Sequence, residues 1–216
     1  MGDKFILTIG REYGSGGRQI GMALAEKLGV KCYDKELLTI AARESGISEE
    51  LFMNHDEKPT NSFLYSLVMD TYSMGYSTSS FIDMPINQKV FMAQYDTIKK
   101  IAEKESCIIV GRCADYALKD NPDMISVFIK AGMDAKIKRI MRIYDIPENK
   151  AKDIIVKTDK KRANYYNFYS NKKWADSRSY DLCVDSGELG IDNTVELLKA
   201  YIEFRTSISK KEFKGI

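Results

Sequence analysis

The chain has 216 residues, of which 44% are hydrophobic and 30% are charged, and its formal net charge is +2. This composition is typical of one globular domain, and so small a net charge argues against a nucleic-acid partner. No apolar run approaches the length that crosses a bilayer, and the N-terminus lacks the apolar segment of a signal peptide, so we expect a cytoplasmic protein without a membrane partner.

Short apolar runs that alternate with segments of helical periodicity predict an α/β fold. Strands are expected at residues 5–9, 30–33, 107–110, 125–129 and 180–184. Helices are expected at residues 34–44, 86–105, 133–144, 147–168 and 194–204, together with one that carries Ile20, Leu24 and Leu28. Buried strands that alternate with helices form a parallel sheet covered on both faces. The pattern therefore predicts a single three-layer α/β/α domain over residues 1–216.

Two segments have no clear periodicity, and the cysteines and the histidine form no recognisable metal-binding motif. Residues 47–85 are rich in Met, Ser and Tyr and are interpreted as a small insertion, which is a candidate for a homodimer contact. Residues 206–216 are interpreted as a frayed tail. The four cysteines contain no Cys-x-x-Cys pair and the single histidine, His55, has no visible partner, so no metal-ligating residues are predicted.

The strongest local signal is a glycine-rich segment between the first strand and the first helix. It runs from Gly10 to Gly21 and contains five glycines, with Arg11 and Arg18 beside them. Backbone N–H groups and the positive end of a helix converge at such a junction and bind anions. Glycine permits positive φ angles and a close approach of the backbone to phosphate. The segment therefore predicts a phosphate-binding loop.

Two standard loop patterns are not met. In the pattern Gly-x-x-x-x-Gly-Lys-Ser/Thr, the lysine place is taken by Gly17 or Arg18, and the hydroxyl place by Arg18 or Gln19. In the pattern Gly-x-Gly-x-x-Gly, Gln19 stands where the third glycine belongs. The lysine and the magnesium-binding hydroxyl of the first pattern are therefore absent from their usual positions.

A third pattern keeps one alternative open. Gly10-x-x-x-Gly14-x-Gly16 matches the loop of short-chain dehydrogenases. That family also has a Tyr-x-x-x-Lys motif, which Tyr95 with Lys99 and Tyr169 with Lys173 both match. An NAD-dependent short-chain dehydrogenase is therefore one possible function, although this motif is expected by chance in a chain with 13 tyrosines.

Several segments, taken in order, resemble one family. They are the loop from Arg11 to Arg18, the run Val110-Gly111-Arg112-Cys113-Ala114-Asp115-Tyr116, a basic helix, and the strand from Tyr180 to Ser186. Together they resemble bacterial cytidylate kinases and, more closely, the divergent branch called cytidylate kinase-like proteins. The resemblance covers residues 5 to 202 and is weakest between 47 and 82. It implies a P-loop NTPase-type fold with a helical acceptor-binding insertion at about 35–105 and a lid at about 145–178.

The resemblance also implies an activity, namely ATP-dependent phosphoryl transfer to a nucleoside monophosphate (CMP-like) or a related small molecule, with Mg²⁺. The implied contacts with the ATP phosphates are Gly14, Ser15, Gly16, Gly17, Arg18 and Gln19. The implied substrate-binding residues are Asp34, Arg43, Arg112, Asp159 and Arg178. The implied catalytic residues are Arg18, Arg112, Lys161 and Arg162. Cationic side chains suit this reaction, which needs charge neutralisation and positioning more than a nucleophilic side chain.

Departures from the family pattern motivate a second hypothesis. The loop lysine is absent, and the residues after Asp34 do not continue the acceptor motif of cytidylate kinases. Arg43 lies three residues later than the arginine of that motif. The alternative is a nucleotide-binding regulatory protein with little kinase activity, which would bind nucleotide without turnover.

Overall fold

The computed structural model describes residues 4–58 and 85–207. The described strands are β1 (Ile6–Arg11), β2 (Lys31–Tyr33), β3 (Cys107–Val110), β4 (Met124–Lys130) and β5 (Leu182–Asp185). The described helices are α1 (Gly17–Leu28), α2 (Glu36–Ser45), α3 (Glu49–His55), α4 (Ile86–Lys104), α5 (Ala114–Ala117), α6 (Met133–Tyr144), α7 (Glu148–Ser170) and α8 (Ser186–Ser207). The predicted dimer contact falls largely on residues 59–84, which lie outside the described residues, as do residues 208–216 of the predicted tail.

The five strands form one parallel sheet in the order β2-β3-β1-β4-β5. β1 lies at its centre, with Ile6 opposite Cys107 of β3 and Met124 of β4. The predicted parallel sheet is therefore confirmed. Its order differs from the 3-2-1-4-5-6 order of dinucleotide-binding sheets, so the sheet does not support the dehydrogenase alternative.

Helices cover both faces of the sheet because β1, β3 and β4 are apolar on both sides. One face packs against α1 and α8, with Leu7 and Val127 among its buried strand residues. The other face packs against α4 and α5, with Ile6 and Ile109 buried there. Side chains that alternate along a strand point to opposite faces, so adjacent residues of β1 serve different layers. The result is the predicted three-layer α/β/α arrangement.

The C-terminal half of α7 is anchored in the core by aromatic side chains. The Tyr169 ring stacks on Phe91 of α4 at a centroid distance of 3.8 Å, and Tyr165 contacts both rings. Tyr165, Tyr166 and Tyr169 are all buried, so they pack against the core and are not available to stack on a base. The N-terminal half of α7 instead packs against α6 through Ala151 and Ile155.

The last helix begins earlier than the sequence predicts, at Ser186 rather than at residue 194. Its first turn lacks the apolar periodicity on which the prediction depended. Gly190 then departs from helical geometry, with φ 74° and ψ 174°, and bends the helix there. Among the described helices, none is long and apolar enough to span a bilayer.

Candidate functional site

The glycine loop connects the central strand β1 to α1, so it lies between the carboxyl ends of β3 and β4. Gly14 and Gly16 have φ angles of +82° and +83°, which side-chain-bearing residues rarely adopt. A Cβ atom on Gly16 would lie 2.5 Å from Cδ1 of Ile191 and 2.6 Å from Nη1 of Arg139. The positive φ angle therefore favours glycine at this position, and a side chain there would also displace the ends of the Ile191 and Arg139 side chains.

The loop offers unpaired backbone donors. Among the described residues, the N–H groups of Gly14, Gly16, Arg18 and Gln19 have no hydrogen-bond acceptor, whereas the N–H of Ile20 bonds to the Gly16 carbonyl. These four groups belong to the loop and to the first turn of α1, where the helix dipole favours negative charge. The loop can therefore bind phosphate oxygens through its backbone.

Ser15 is turned into the loop and away from solvent. Its side chain is fully buried, and its hydroxyl donates to the Glu12 carbonyl at 2.8 Å. Its own carbonyl accepts a hydrogen bond from the hydroxyl of Ser186, at the start of α8. The Ser15 hydroxyl therefore stabilises the loop, and its contact with the ATP phosphates stays a prediction.

A buried lysine holds the loop from the side of α6. Lys136 Nζ lies 3.1 Å from Glu12 Oε2 and 3.1 Å from Asp159 Oδ2 on α7. The other oxygen of Asp159 accepts a hydrogen bond from the Tyr13 N–H at 2.6 Å. Burial raises the pKa of the Asp159 carboxyl, and the hydrogen bond from Tyr13 and the charge of Lys136 act in the opposite direction. Asp159, predicted to bind substrate, is therefore engaged in positioning the loop.

Arg112 follows β3 and is buried, with 4% of its surface exposed. Its guanidinium donates to Asp34 at 2.7 Å and to Asp56 at 3.0 Å. The second oxygen of Asp34 lies 2.8 Å from Nε of Arg18, which is half exposed at the start of α1. The structure thus brings together Asp34, Arg18 and Arg112, three residues that are far apart in the sequence.

The backbone that directs Arg112 into the site is strained. Gly111, Arg112 and Cys113 have consecutive φ angles of 78°, 55° and 54°. For residues other than glycine such angles cost about 1–3 kcal/mol each and persist where the surroundings require them, often at functional sites. Because Gly111 has no side chain, the Arg11 guanidinium packs where a Cβ atom would stand.

A second ion-pair group lies beside Arg112. Arg11, the last residue of β1, contacts Glu57 at 2.8 Å, and Arg162 of α7 lies 3.4 Å from the other Glu57 oxygen. Burial alone would raise the pKa of the Glu57 carboxyl, but the charges of Arg11, Arg162 and Arg112 outweigh it and hold this pKa well below its usual range. Burial and the charge of Arg11 lower the pKa of Arg162 to about 10, so it remains charged at neutral pH.

These groups surround one cleft of about 880 Å³ at the carboxyl end of the sheet. The predicted site residues that line it are Gly14, Gly16, Gly17, Arg18, Gln19, Asp34, Arg112 and Arg162. Lys161 lies close by on α7, where it donates to the Asp56 carbonyl at 2.9 Å. Open parallel α/β sheets bind their ligands at this edge.

Two predicted substrate-binding residues lie elsewhere. Arg43 is exposed on α2 and is not among the residues that line the cleft. Arg178 is exposed and pairs with Asp176, two residues away, at 2.6 Å. Their roles as substrate contacts stay predictions.

Four cleft or loop residues were given no role by the sequence reasoning: Asp56, Glu57, Lys136 and Arg139. Arg139 donates to the Gly14 carbonyl at 2.9 Å, and both it and Lys136 belong to the basic helix that contributed to the resemblance. Helical spacing predicted α6 with these bounds but could not identify the partners of its side chains. For Asp56 and Glu57 no local signal exists, because their partners lie in β1, α7 and the residues after β3.

The donor set fits a polyphosphate better than a metal ion bound by the protein alone. Unpaired N–H groups and arginines match phosphate oxygens. Within residues 4–58 and 85–207, no group of three His, Cys, Asp or Glu side chains could hold a metal ion. Ser15, the hydroxyl residue of the loop, is buried and is not among the residues that line the cleft. A Mg²⁺ ion would therefore depend mainly on oxygens of the bound nucleotide, as is common for this ion.

Comparisons with known proteins are consistent with this geometry. The chain is 26% identical over 124 residues to a cytidylate kinase of Sulfurisphaera tokodaii and 27% identical over 104 residues to one of Methanosarcina barkeri. These alignments cover 57% and 48% of this chain. The chain spans only 64% and 58% of the length of these two curated relatives.

Two solved structures match a larger share of this chain than the curated relatives do. An uncharacterized protein from Eubacterium ventriosum is 34% identical, with a TM-score of 0.70, and the match covers 93% of this chain and 99% of that one. Shikimate kinase from Bacteroides thetaiotaomicron has a TM-score of 0.54 at 17% identity, over 92% and 98% of the two chains, which shows that the P-loop α/β/α fold is shared.

The model of one family matches residues 6–188. This range extends from the first residue of β1 to the first turn of α8 and includes the glycine loop and Arg112. The chain therefore belongs to the cytidylate kinase-like family.

Proposed function

We propose that the protein transfers a phosphoryl group from ATP to a nucleoside monophosphate, CMP-like, or to a related small phosphorylated acceptor. The observation that carries this proposal is the arrangement of the cleft. The glycine loop, Arg11, Arg112 and Arg162 all line it. Two phosphorylated substrates would thus meet beside three arginines.

On the donor side, the free N–H groups of the loop would bind the ATP phosphates. Arg139 supports the loop through the Gly14 carbonyl. Arg18, whose side chain is 53% exposed, is the cation that would take the place of the absent lysine by exchanging Asp34 for phosphate oxygens. Mg²⁺ bound to the nucleotide would supply further charge neutralisation.

On the acceptor side, Arg112 would bind the acceptor phosphate with its planar guanidinium. An oxygen of that phosphate forms a bond to the γ-phosphorus as the bond from this phosphorus to the β,γ-bridging oxygen breaks, and ADP leaves with the bonding electron pair. A monophosphate dianion has no proton to lose, so no side chain is required as a general base. The task of the residues is to align both phosphates and offset their charge.

The part of α7 that precedes Tyr165 is proposed to act as the lid. It carries Asp159, Lys161 and Arg162 near the middle of the helix, and all three reach towards the cleft or the loop. From Tyr165 onward the helix is fixed in the core by Tyr165 and Tyr169. A lid anchored at one end can exclude water from the transfer and still open for product release.

The test is ADP formation by the purified protein with ATP and Mg²⁺ over a panel of CMP, UMP, AMP and GMP, with an acceptor-free reaction as control. We expect one monophosphate to raise ADP formation well above the control and a nucleoside diphosphate to appear in equal amount. ADP formation that no acceptor stimulates would contradict the proposal.

The alternative, a nucleotide-binding regulatory protein, has one observation in its favour. Arg11, Arg112 and Arg162 are already paired with carboxylates of the chain. Thermal stabilisation by ATP without ADP formation over the same panel would favour this alternative.

A further inference from the structure

Glu57 occupies an unusual position for a carboxylate. It follows α3, has 8% of its surface exposed, and has a φ angle of 51°. Its two oxygens face Arg11 Nη1 at 2.8 Å and Arg162 Nε at 3.4 Å. A buried charge with strained backbone persists only where its surroundings hold it, and here those surroundings are arginines.

The arginines around Glu57 have more donor capacity than the carboxylate uses. Arg11, Arg112 and Arg162 are hereafter called the arginine cage. The Nε–H group of Arg112 is buried and has no hydrogen-bond acceptor in the described part of the chain, and Arg162 Nε meets Glu57 only as a 3.4 Å ion pair without hydrogen-bond geometry. A buried donor without an acceptor is costly. A carboxylate offers only two oxygens, whereas a phosphoryl group offers three or more in a tetrahedral arrangement that arginines favour.

The net charge of the ion-pair cluster also favours a bound anion. Four arginines of the cleft (Arg11, Arg18, Arg112 and Arg162) are paired with three carboxylates (Asp34, Asp56 and Glu57). The cluster therefore retains one positive charge in excess with all its ion pairs formed. If Glu57 moved out, the excess would rise to two, which matches the charge of a phosphate dianion.

The cage is placed where the two substrates of the proposed reaction would meet. Its three arginines and Glu57 line the large cleft. The Arg11 side chain packs against both Gly17 of the loop and Gly111 after β3. It therefore lies between the phosphate loop and the residues before Arg112.

We propose that the arginine cage is a binding site for the phosphoryl group of the acceptor and that Glu57 is its resident anion, displaced when the acceptor binds. The identification of the occupant as the acceptor rests on the proposed function. The anion site itself rests on the geometry alone. Glu57 acts as a competitor built into the chain, so the acceptor affinity is lower than the arginines by themselves would give.

The test is a titration of Glu57→Gln with inorganic phosphate. Binding is measured by thermal shift, and sodium chloride keeps the ionic strength constant. We expect the apparent Kd for phosphate to fall by about tenfold or more relative to the wild type, because a buried competing charge is removed. Glu50→Gln is the matched control, since Glu50 is exposed on α3. It should bind phosphate as the wild type does.

If Glu57→Gln does not fold, Glu57→Asp provides the same test. The shorter side chain withdraws the carboxylate from Arg11 and keeps its charge, so a smaller gain in phosphate affinity is expected. No gain in any folded Glu57 variant, or an equal gain in Glu50→Gln, would overturn the proposal.

Two further ligands identify the occupant. CMP should gain affinity in Glu57→Gln in parallel with inorganic phosphate, whereas ATP should bind as it does to the wild type. A gain for ATP without one for CMP would overturn the assignment to the acceptor. Because these titrations need no turnover, a protein that binds phosphate in this way and forms no ADP would refute the kinase proposal and leave the anion site standing.

Discussion

Lys136 and Asp159 form a buried ion pair of 3.1 Å that joins α6 to α7 beside the glycine loop. The same ammonium contacts Glu12 of the loop, and the same carboxylate binds the Tyr13 N–H. One cation therefore links the loop to the proposed lid, so a displacement of either element would change the ion pairs that position the other.

Replacing this cation should destabilise the protein and loosen the loop. In Lys136→Met, Glu12 and Asp159 lose their buried counter-charge, and removal of one partner of such a pair costs about 3–5 kcal/mol. Urea unfolding should show a loss of this order, and ATP affinity should fall. Lys138→Met, on the exposed side of the same helix, should change the free energy of unfolding by less than about 0.5 kcal/mol. Equal losses in the two variants would contradict the role of Lys136.

Arg112→Lys tests the acceptor side of the cleft. The substitution keeps the charge that Asp34 and Asp56 require but removes the planar fork that binds phosphate through two parallel bonds. We expect kcat/KM for the acceptor to fall by roughly ten- to a hundredfold with the ATP affinity unchanged. Arg205→Lys, on the exposed side of α8, is the control. If Arg112→Lys weakened ATP binding and spared the acceptor, the assignment of the two sides would be wrong.

Gly16→Ala and Gly29→Ala together distinguish the cost of a positive φ angle from the effect of a side chain within the glycine loop. Both residues have positive φ angles, 83° and 67°. A methyl group on Gly29 would meet nothing within 4 Å, whereas on Gly16 it would displace the side-chain ends of Ile191 and Arg139, which supports the loop. Each variant should lose on the order of 1 kcal/mol or more of stability from the backbone. Only Gly16→Ala should also lose ATP-induced thermal stabilisation, and retention of that stabilisation would argue against the phosphate loop.

The lowered pKa of Glu57 predicts a pH-dependent contribution to stability. A carboxyl whose pKa is lower in the folded state stabilises the protein above its unfolded pKa, here the ordinary 4.5, and loses this contribution as the pH falls. The difference in unfolding free energy between the wild type and Glu57→Gln should therefore be constant between pH 6 and 8 and shrink below about pH 4.5. Urea unfolding across this range measures it.

Other buried carboxyls do not obscure that comparison. Burial raises the pKa of Asp115 and of Asp159, so their contributions change with pH in the opposite direction. The wild type and Glu57→Gln both contain Asp115 and Asp159, so most of their contribution cancels when the two unfolding free energies are subtracted. A difference that stays constant down to pH 3.5 would show that Glu57 is not held as a carboxylate by the arginines.

Local patterns in the sequence were enough to predict the five strands, the longer helices and the loop, but not the short helices α3 and α5 or the start of α8. The apolar run that forms β3 and the helical period of α6 identified both elements with the bounds that the structure has. The glycines around Ser15 marked the loop because positive φ angles and close packing leave few alternatives to glycine. Such signals are encoded within a few residues of one another, and so the sequence by itself determined the layers of the fold and one side of the cleft.

The tertiary structure alone decided which charges meet. Glu57 reaches Arg11, 46 residues away, and Lys136 reaches Glu12, 124 residues away. The sheet order brings the ends of β1, β3 and β4 together, and no local pattern encodes that order. For the same reason the sequence proposed Arg43 and Arg178 as substrate contacts beside Arg112, although the fold exposes both of them outside the cleft residues. Ion pairs between distant segments depend on how the chain packs, so only the folded structure could distinguish the arginines that line the site from those that face solvent.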